Sequence, residues 1–92
     1  MPVVQVATAP SRAHYEKVRE FVDLSANRPE GLIHHSAAEL PSGEVQIIEV
    51  YESRADYDAF GERIFKAFAQ AGVLELVQAQ GRPVAYETFD LL

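Results

Sequence analysis

Four side chains near the middle of the chain, His34, Ser36, Glu49 and Tyr51, have the types needed for proton transfer. They lie in two strand-like runs within residues 31–52. A histidine beside a tyrosine and near a carboxylate suits a general base, because the carboxylate orients the imidazole. We expect His34 to be the base, Glu49 its orienting partner and Tyr51 the donor to an enolate or phenolate oxygen. This set suits proton abstraction beside a carbonyl.

A tight hairpin has to position these side chains. Pairing of Leu40 with Val45 across Pro41-Ser42-Gly43-Glu44 predicts a symmetric register that matches His34 with Tyr51 and Ser36 with Glu49. All four then share one face. The other face carries mostly apolar side chains and a second histidine: Ile33, His35, Ala37, Ile48 and Val50.

We expect the side chains on both faces of this hairpin to be buried, and the helices of so short a chain can bury only one face. We therefore expect a homodimer in which a partner subunit buries the second face. Residue parity assigns side chains to faces but leaves open which face the helices cover. The polar cluster then has a structural alternative, in which it lies at the subunit interface and is satisfied by its own members.

Other histidine chemistry has weaker support. His35 is expected to be a core or interface histidine, and two consecutive strand histidines point to opposite faces. A metal site built from His14, one of these histidines and Glu49 stays open, although the spacing is not diagnostic. The prediction is for no metal and no cofactor.

Composition excludes several other classes of function. The 92 residues predict one domain, 1–92, and 48% hydrophobic residues are enough for a core. No cysteine is present, which excludes thiol nucleophiles and thiolate metal sites. A net charge of −6, without a basic cluster, argues against nucleic acid. No apolar run is long enough to span a membrane, so we expect no membrane partner and a soluble, cytoplasmic protein.

The pattern along the chain predicts an α+β, ferredoxin-like βαββαβ fold, an antiparallel sheet with two helices on one face. Residues 3–8 predict a first strand, and Ser11 caps a helix over 12–25. The hairpin follows, and then a second helix runs from Ser53 to about Ala71. Gly72 is its predicted terminator. Residues 83–92 predict the last strand, while 73–80 stay ambiguous between a helical turn, a strand and an arm.

Aromatic side chains at helical spacing predict either core or the wall of a pocket within that core. The set is Tyr15, Tyr57, Phe60, Ile64, Phe65 and Phe68. We expect the following residues to bind substrate: Ser36, Tyr57, Phe60, Ile64, Phe68 and Tyr86. In this prediction Tyr86 contributes a polar group to the same cavity from the last strand.

Three segments resemble the dimeric α/β-barrel superfamily, and the antibiotic-biosynthesis monooxygenase type in particular. They are PEGL at 29–32, EVYES at 49–53 with Tyr57 and Phe60, and YETFDLL at 86–92. The resemblance implies two ferredoxin-like subunits that pack their sheets into one barrel, with ligands between sheet and helices. It covers nearly the whole chain, but these motifs indicate architecture better than chemistry.

By the same resemblance, the implied activities are cofactor-independent oxygenation of aromatic polyketides, haem degradation, and isomerisation or cyclisation of small ketones. The chain has no tryptophan, where family members often carry one, and Tyr51 stands at the matching junction. Haem chemistry is therefore disfavoured. The leading hypothesis is a homodimer that binds a hydrophobic or aromatic small molecule and acts as a cofactor-independent monooxygenase. The alternatives are a non-catalytic dimeric ligand-binding or stress-related module, and a purely structural domain without a pocket.

Overall fold

The computed structural model describes residues 1–75 and 83–91. Along the chain these residues form the α+β, ferredoxin-like order βαββαβ. The elements are β1 (Val3–Ala9), α1 (Arg12–Arg19), β2 (Leu32–Glu39), β3 (Val45–Tyr51), α2 (Arg54–Ala71) and β4 (Ala85–Glu87). The four strands form one antiparallel sheet in the order β2-β3-β1-β4.

The hairpin register differs from the predicted one by a single residue. Leu40 pairs with Glu44, its N–H donating to that carbonyl at 2.8 Å, and Gly43 adopts the left-handed conformation at φ 91°. The turn is therefore a three-residue loop with glycine at its left-handed position, a common hairpin connection. In a strand, a shift of one residue moves every side chain to the opposite face.

The corrected register changes which residues share a face. His35 pairs with Glu49, whereas His34 pairs with Val50 and Ser36 with Ile48. The predicted pairs of His34 with Tyr51 and Ser36 with Glu49 are wrong. A bulge between Leu32 and His34 shifts the register once more, so that Leu32 lies opposite Tyr51.

Both helices begin at the predicted serine caps. Ser11 Oγ accepts from the His14 N–H, and Ser53 Oγ accepts from the Asp56 N–H. Helix α2 ends at Ala71, and Gly72 caps it in the left-handed conformation at φ 76°, as the sequence predicts. Helix α1 is shorter than predicted and ends at Arg19, with turns from there to the β2 strand.

The core lies between the two helices and one face of the sheet. Its strand members include Val3, Leu32, Tyr51 and Ala85, and Phe60 and Ala67 pack on them from α2. Because Val3, Tyr51 and Ala85 lie on this face, the helices cover the face that also carries Glu49 and His35. Phe65, one of the aromatic residues predicted to form either core or a pocket wall, is 51% exposed.

The C-terminal region agrees with its prediction in part. Strand β4 is confined to Ala85–Glu87 within the predicted 83–92, and Leu92 lies outside the described residues. In the ambiguous segment 73–80, residues 74 and 75 are helical and 76–80 lie outside the described residues. Among the residues described, no helix is both long and apolar enough to cross a membrane.

Candidate functional site

A continuous chain of polar side chains connects helix α1 to the centre of the sheet. Arg19 Nη1 donates to Tyr15 Oη at 3.1 Å, and Tyr15 Oη lies 2.8 Å from His35 Nε2. On the other side of the ring, His35 Nδ1 lies 3.0 Å from Glu49 Oε2. The two ring nitrogens of His35 therefore face a tyrosine hydroxyl and a carboxylate.

Glu49 is the anchor of this chain. Its side chain is 8% exposed, and that of His35 is 17% exposed. Two further donors reach the carboxylate: Gln5 Nε2 to Oε1 at 3.2 Å and Tyr51 Oη to Oε2 at 3.4 Å. A buried carboxylate is stabilised by such donors, since without them its desolvation is not compensated.

The hydrogen-bond pattern specifies a tautomer for His35. An ionised Glu49 only accepts, so the His35 proton belongs on Nδ1, and Nε2 of the neutral ring is then an acceptor. Tyr15 Oη accepts from Arg19 through a lone pair, and its own O–H proton remains free to be donated to Nε2. The arrangement is a Tyr–His–carboxylate relay in which a proton passed to Nε2 gives an imidazolium beside Glu49.

Local structure explains why these residues meet. The Ser11 cap sets the start of α1 and so places Tyr15 and Arg19, one turn apart, over the sheet. Gln5, His35 and Glu49 come from the adjacent strands β1, β2 and β3, and Glu49 pairs with both of the others. Cross-strand neighbours on one face lie about 5 Å apart, within hydrogen-bonding reach of these side chains.

The polar chain forms one wall of a partly open cavity between helices and sheet. The cavity has a volume of about 1210 Å³, and Gln5, Tyr15, His35 and Glu49 line it. Its apolar lining comes mainly from α2 and includes Tyr57, Phe60, Ile64 and Phe68. An apolar cavity with a few convergent polar groups is the usual form of a small-molecule site.

Two pKa values near the site are shifted by their surroundings. Burial raises the pKa of the Tyr51 hydroxyl, and the charge of Glu49 raises it further, so Tyr51 stays protonated and donates. Burial also lowers the pKa of His14, which lines the cavity.

The structure separates the four predicted catalytic and polar residues into two pairs. Glu49 and Tyr51 lie on the helix-covered face and are in contact. His34 and Ser36 lie on the opposite face, where His34 Nε2 is 3.0 Å from Ser36 Oγ. His34 therefore cannot be oriented by Glu49, and Ser36 does not line the cavity.

Two further predictions about the site are corrected. Tyr51 has no exposed surface, does not line the cavity, and donates to Glu49, so it cannot also donate to a substrate oxygen there. Tyr86 pairs with Val4 on the face away from the helices and is 65% exposed, outside the cavity. By contrast, Tyr57, Phe60, Ile64 and Phe68 line the cavity, and their role in substrate binding stays a prediction.

Sequence reasoning missed two members of the polar chain, Gln5 and Arg19. A signal existed for Gln5, because it alternates with Val3 and Ala7 on a face otherwise built for the core. A polar residue at such a position needs a partner. Arg19 has no comparable signal, since a charged residue on a short helix usually faces solvent. Within the described residues, no group of three His, Asp or Glu side chains is arranged to hold a metal.

Comparison with known proteins supports the fold. The structure of Rv0793 from Mycobacterium tuberculosis aligns with a TM-score of 0.68 and 20% sequence identity. The alignment covers 99% of this chain and 98% of that one. No protein-family model matches the sequence, and no curated protein matches it either. At this identity the similarity establishes a shared fold, the α+β ferredoxin-like fold.

Proposed function

We propose that this chain is a small-molecule-binding protein of the dimeric α/β-barrel kind, similar to the antibiotic-biosynthesis monooxygenase type. It takes an aromatic or ketone-bearing molecule into the large cavity and removes an acidic proton from it, as the first step of cofactor-independent oxygenation. The observation that carries this proposal is the partly buried Tyr15–His35–Glu49 relay at the wall of a mostly apolar cavity.

Each member of the relay has a role in proton transfer. Tyr15 accepts the substrate proton while its own proton passes to His35 Nε2, and Glu49 stabilises the imidazolium that forms. Arg19 donates to the Tyr15 oxygen and favours negative charge there. Tyr51 and Gln5 hold Glu49 in place and act as positioning residues. In this proposal His35, and not His34, is the histidine that receives the proton, through Tyr15.

Anthrone provides a direct assay, since it is a ring ketone with an acidic methylene group. In anaerobic D2O, loss of the methylene proton signal reports proton abstraction alone. In air, the anion reacts with O2, and one anthrone with one O2 gives one anthraquinone and one water. We expect the protein to accelerate both reactions, and His35→Gln or Tyr15→Phe to slow the exchange by about 100-fold.

His34→Gln is the matched control, because His34 is the adjacent histidine and lies on the other face of the sheet. It should leave the exchange rate within about twofold of the original, since the His34 side chain hydrogen-bonds to Ser36 and does not line the large cavity. Equal loss in both histidine variants, or no acceleration by the original protein, contradicts the proposal.

A non-catalytic ligand-binding module is the second candidate, and one observation favours it. His35 Nε2 already has a partner within the chain at 2.8 Å, so the polar chain is complete without a ligand. This candidate expects His35→Gln to lower stability while the protein binds aromatic molecules and never exchanges their protons. The anaerobic assay distinguishes the two candidates.

We also propose that the protein is a homodimer that packs its open sheet faces together. Support comes from apolar residues on that side: Val6 in β1 is 52% exposed and Tyr86 in β4 is 65% exposed. A cytoplasmic location stays a prediction from sequence.

A further inference from the structure

A second, smaller cavity opens beside the bulge of β2, which is an edge strand of the sheet. We call it the mouth pocket; it has a volume of about 410 Å³, and its titratable lining residues are Arg19, Arg28, His34 and His35. It shares Arg19, Leu24 and His35 with the large cavity, so the two cavities adjoin at the polar relay.

The mouth pocket has the opposite charge to the protein as a whole. The chain carries 14 acidic and 8 basic side chains, a net charge of −6. Of the residues described, no Asp or Glu lines this pocket. A local positive charge on an acidic protein attracts an anionic group to that position and disfavours its binding elsewhere on the surface.

The two arginines are held in place yet keep most of their donors. Arg28 Nη2 donates to the Leu32 carbonyl at 2.8 Å, and Arg19 Nη1 donates to Tyr15 Oη at 3.1 Å. Neither pairs with a carboxylate among the described residues, whereas Arg12 pairs with Glu16 at 2.9 Å. A guanidinium has five N–H donors in a planar fork that fits a carboxylate or a phosphate.

We propose that the mouth pocket binds an anionic oxygen group, a carboxylate or a phosphate, on the molecule whose aromatic part occupies the large cavity. The inference rests on the proposed function and specifies its substrate class as an acidic aromatic compound. Arg28 and Arg19 bind the anionic group, which fixes the rest of the molecule beside Tyr15 and His35.

Calorimetric titration with three probes that share a naphthalene ring tests this proposal. The probes are 2-naphthoate, 2-naphthyl phosphate and the neutral 2-naphthalenemethanol. We expect at least one anion to bind about tenfold more tightly than the alcohol. Added salt should weaken anion binding and leave alcohol binding unchanged. The anion that gains more identifies the preferred group.

Arg28→Gln should reduce the anion preference to about threefold or less, because it removes one of the two guanidinium groups. Lys17→Gln is the matched control: it also removes one positive charge, and Lys17 lines neither cavity. A preference lost equally in both variants overturns the assignment of Arg28.

The wild-type measurement separates this inference from the proposed function. If the alcohol and both anions bind equally well, the mouth pocket is not an anion site, and the proposal for the large cavity stands. If none of the three probes binds, both proposals fail.

Discussion

Glu49 is the residue on which the polar site depends. Its two oxygens accept from Gln5 on β1, from His35 on β2 and from Tyr51 on its own strand β3. It is also the one charged side chain buried among the described residues. A buried carboxylate with three donors fixes the positions of its neighbours, and that rigidity is what a proton relay requires.

Removal of this carboxylate should therefore destabilise the protein strongly. Glu49→Ala leaves three donors without an acceptor, and we expect the free energy of unfolding to fall by about 3 kcal/mol. Glu49→Gln keeps one acceptor oxygen for His35 and Tyr51, and a flipped Gln5 amide can accept from the new NH2 group. We expect this variant to lose about 1 kcal/mol. Urea denaturation measures both values, and equal losses would contradict the described network.

Tyr51 makes the stability depend on alkaline pH. Its pKa is raised in the folded protein by burial and by the charge of Glu49, relative to about 10 in the unfolded chain. The stabilisation is therefore complete below pH of about 10 and is lost as the pH rises above it, because only the unfolded state releases the proton.

Urea denaturation across this pH range tests the effect of Tyr51. We expect the free energy of unfolding to fall less steeply above a pH of about 10 in Tyr51→Phe than in the original protein. Tyr86→Phe is the control, because Tyr86 is mostly exposed, and its slope should match the original. Parallel curves for all three proteins would contradict the buried position of Tyr51.

At the residue scale, the sequence predicts some of the side chains that line the cavity, but it places His34, Ser36 and Tyr86 there wrongly. Glu49 contacts His35 and not the predicted His34, whereas Tyr57 and Phe60 line the cavity as helical spacing predicts. The base was assigned to His34 because strand parity depends on the turn, and adjacent histidines exchange faces with a one-residue shift.

At the element scale, the turn explains that shift. A four-residue loop centred on Pro41–Glu44 is symmetric and pairs Leu40 with Val45. The observed three-residue loop places Gly43 at φ 91° and pairs Leu40 with Glu44. Proline followed two residues later by glycine fits this turn, in which glycine takes the left-handed position. The bulge at Leu32 and His34 carries no comparable signal in sequence.

Alanine substitutions at two glycines test how the elements are joined. Gly31, before β2, has φ 78°, and an added Cβ would collide with the Asp56 side chain at the start of α2. Gly61, within α2, has no atom within 4 Å of an added Cβ. We expect Gly31→Ala to lower the free energy of unfolding by about 2 kcal/mol and Gly61→Ala to raise it by about 0.5–1 kcal/mol.

Thermal or urea denaturation of the two glycine variants measures these changes. The substitution is the same in both, so the opposite signs isolate the effect of backbone conformation and contact. Stabilisation by alanine at position 31 would show that the connection before β2 has a different geometry.

At the scale of the whole molecule, no helix within residues 1–75 and 83–91 covers the second face of the sheet. Val6 and Tyr86 are exposed there, in a chain that is short for a protein that folds alone. A second copy of the chain that covers this face would bury apolar surface and add stability. The resemblance to dimeric α/β barrels predicts the same arrangement.

Light scattering on a size-exclusion column should give twice the chain mass of 10.2 kDa. Val6→Glu should shift the protein to the mass of one chain, since it places a charge in the centre of the proposed interface. Phe21→Glu is the control, because Phe21 is also exposed and follows helix α1 on the other side of the molecule. A single-chain mass for the original protein would contradict the dimer.

We propose that His35, and not His34, faces the ligand. The most direct test is NMR of the histidine ring signals while 2-naphthoate and then 2-naphthalenemethanol are added. We expect binding of either probe to move the His35 signals, because His35 and its partner Tyr15 line the large cavity. The neutral alcohol is the decisive probe, and it should leave the His34 signals in place. Movement of the His34 signals alone with the alcohol, while the His35 signals stay unchanged, would contradict this placement of His35.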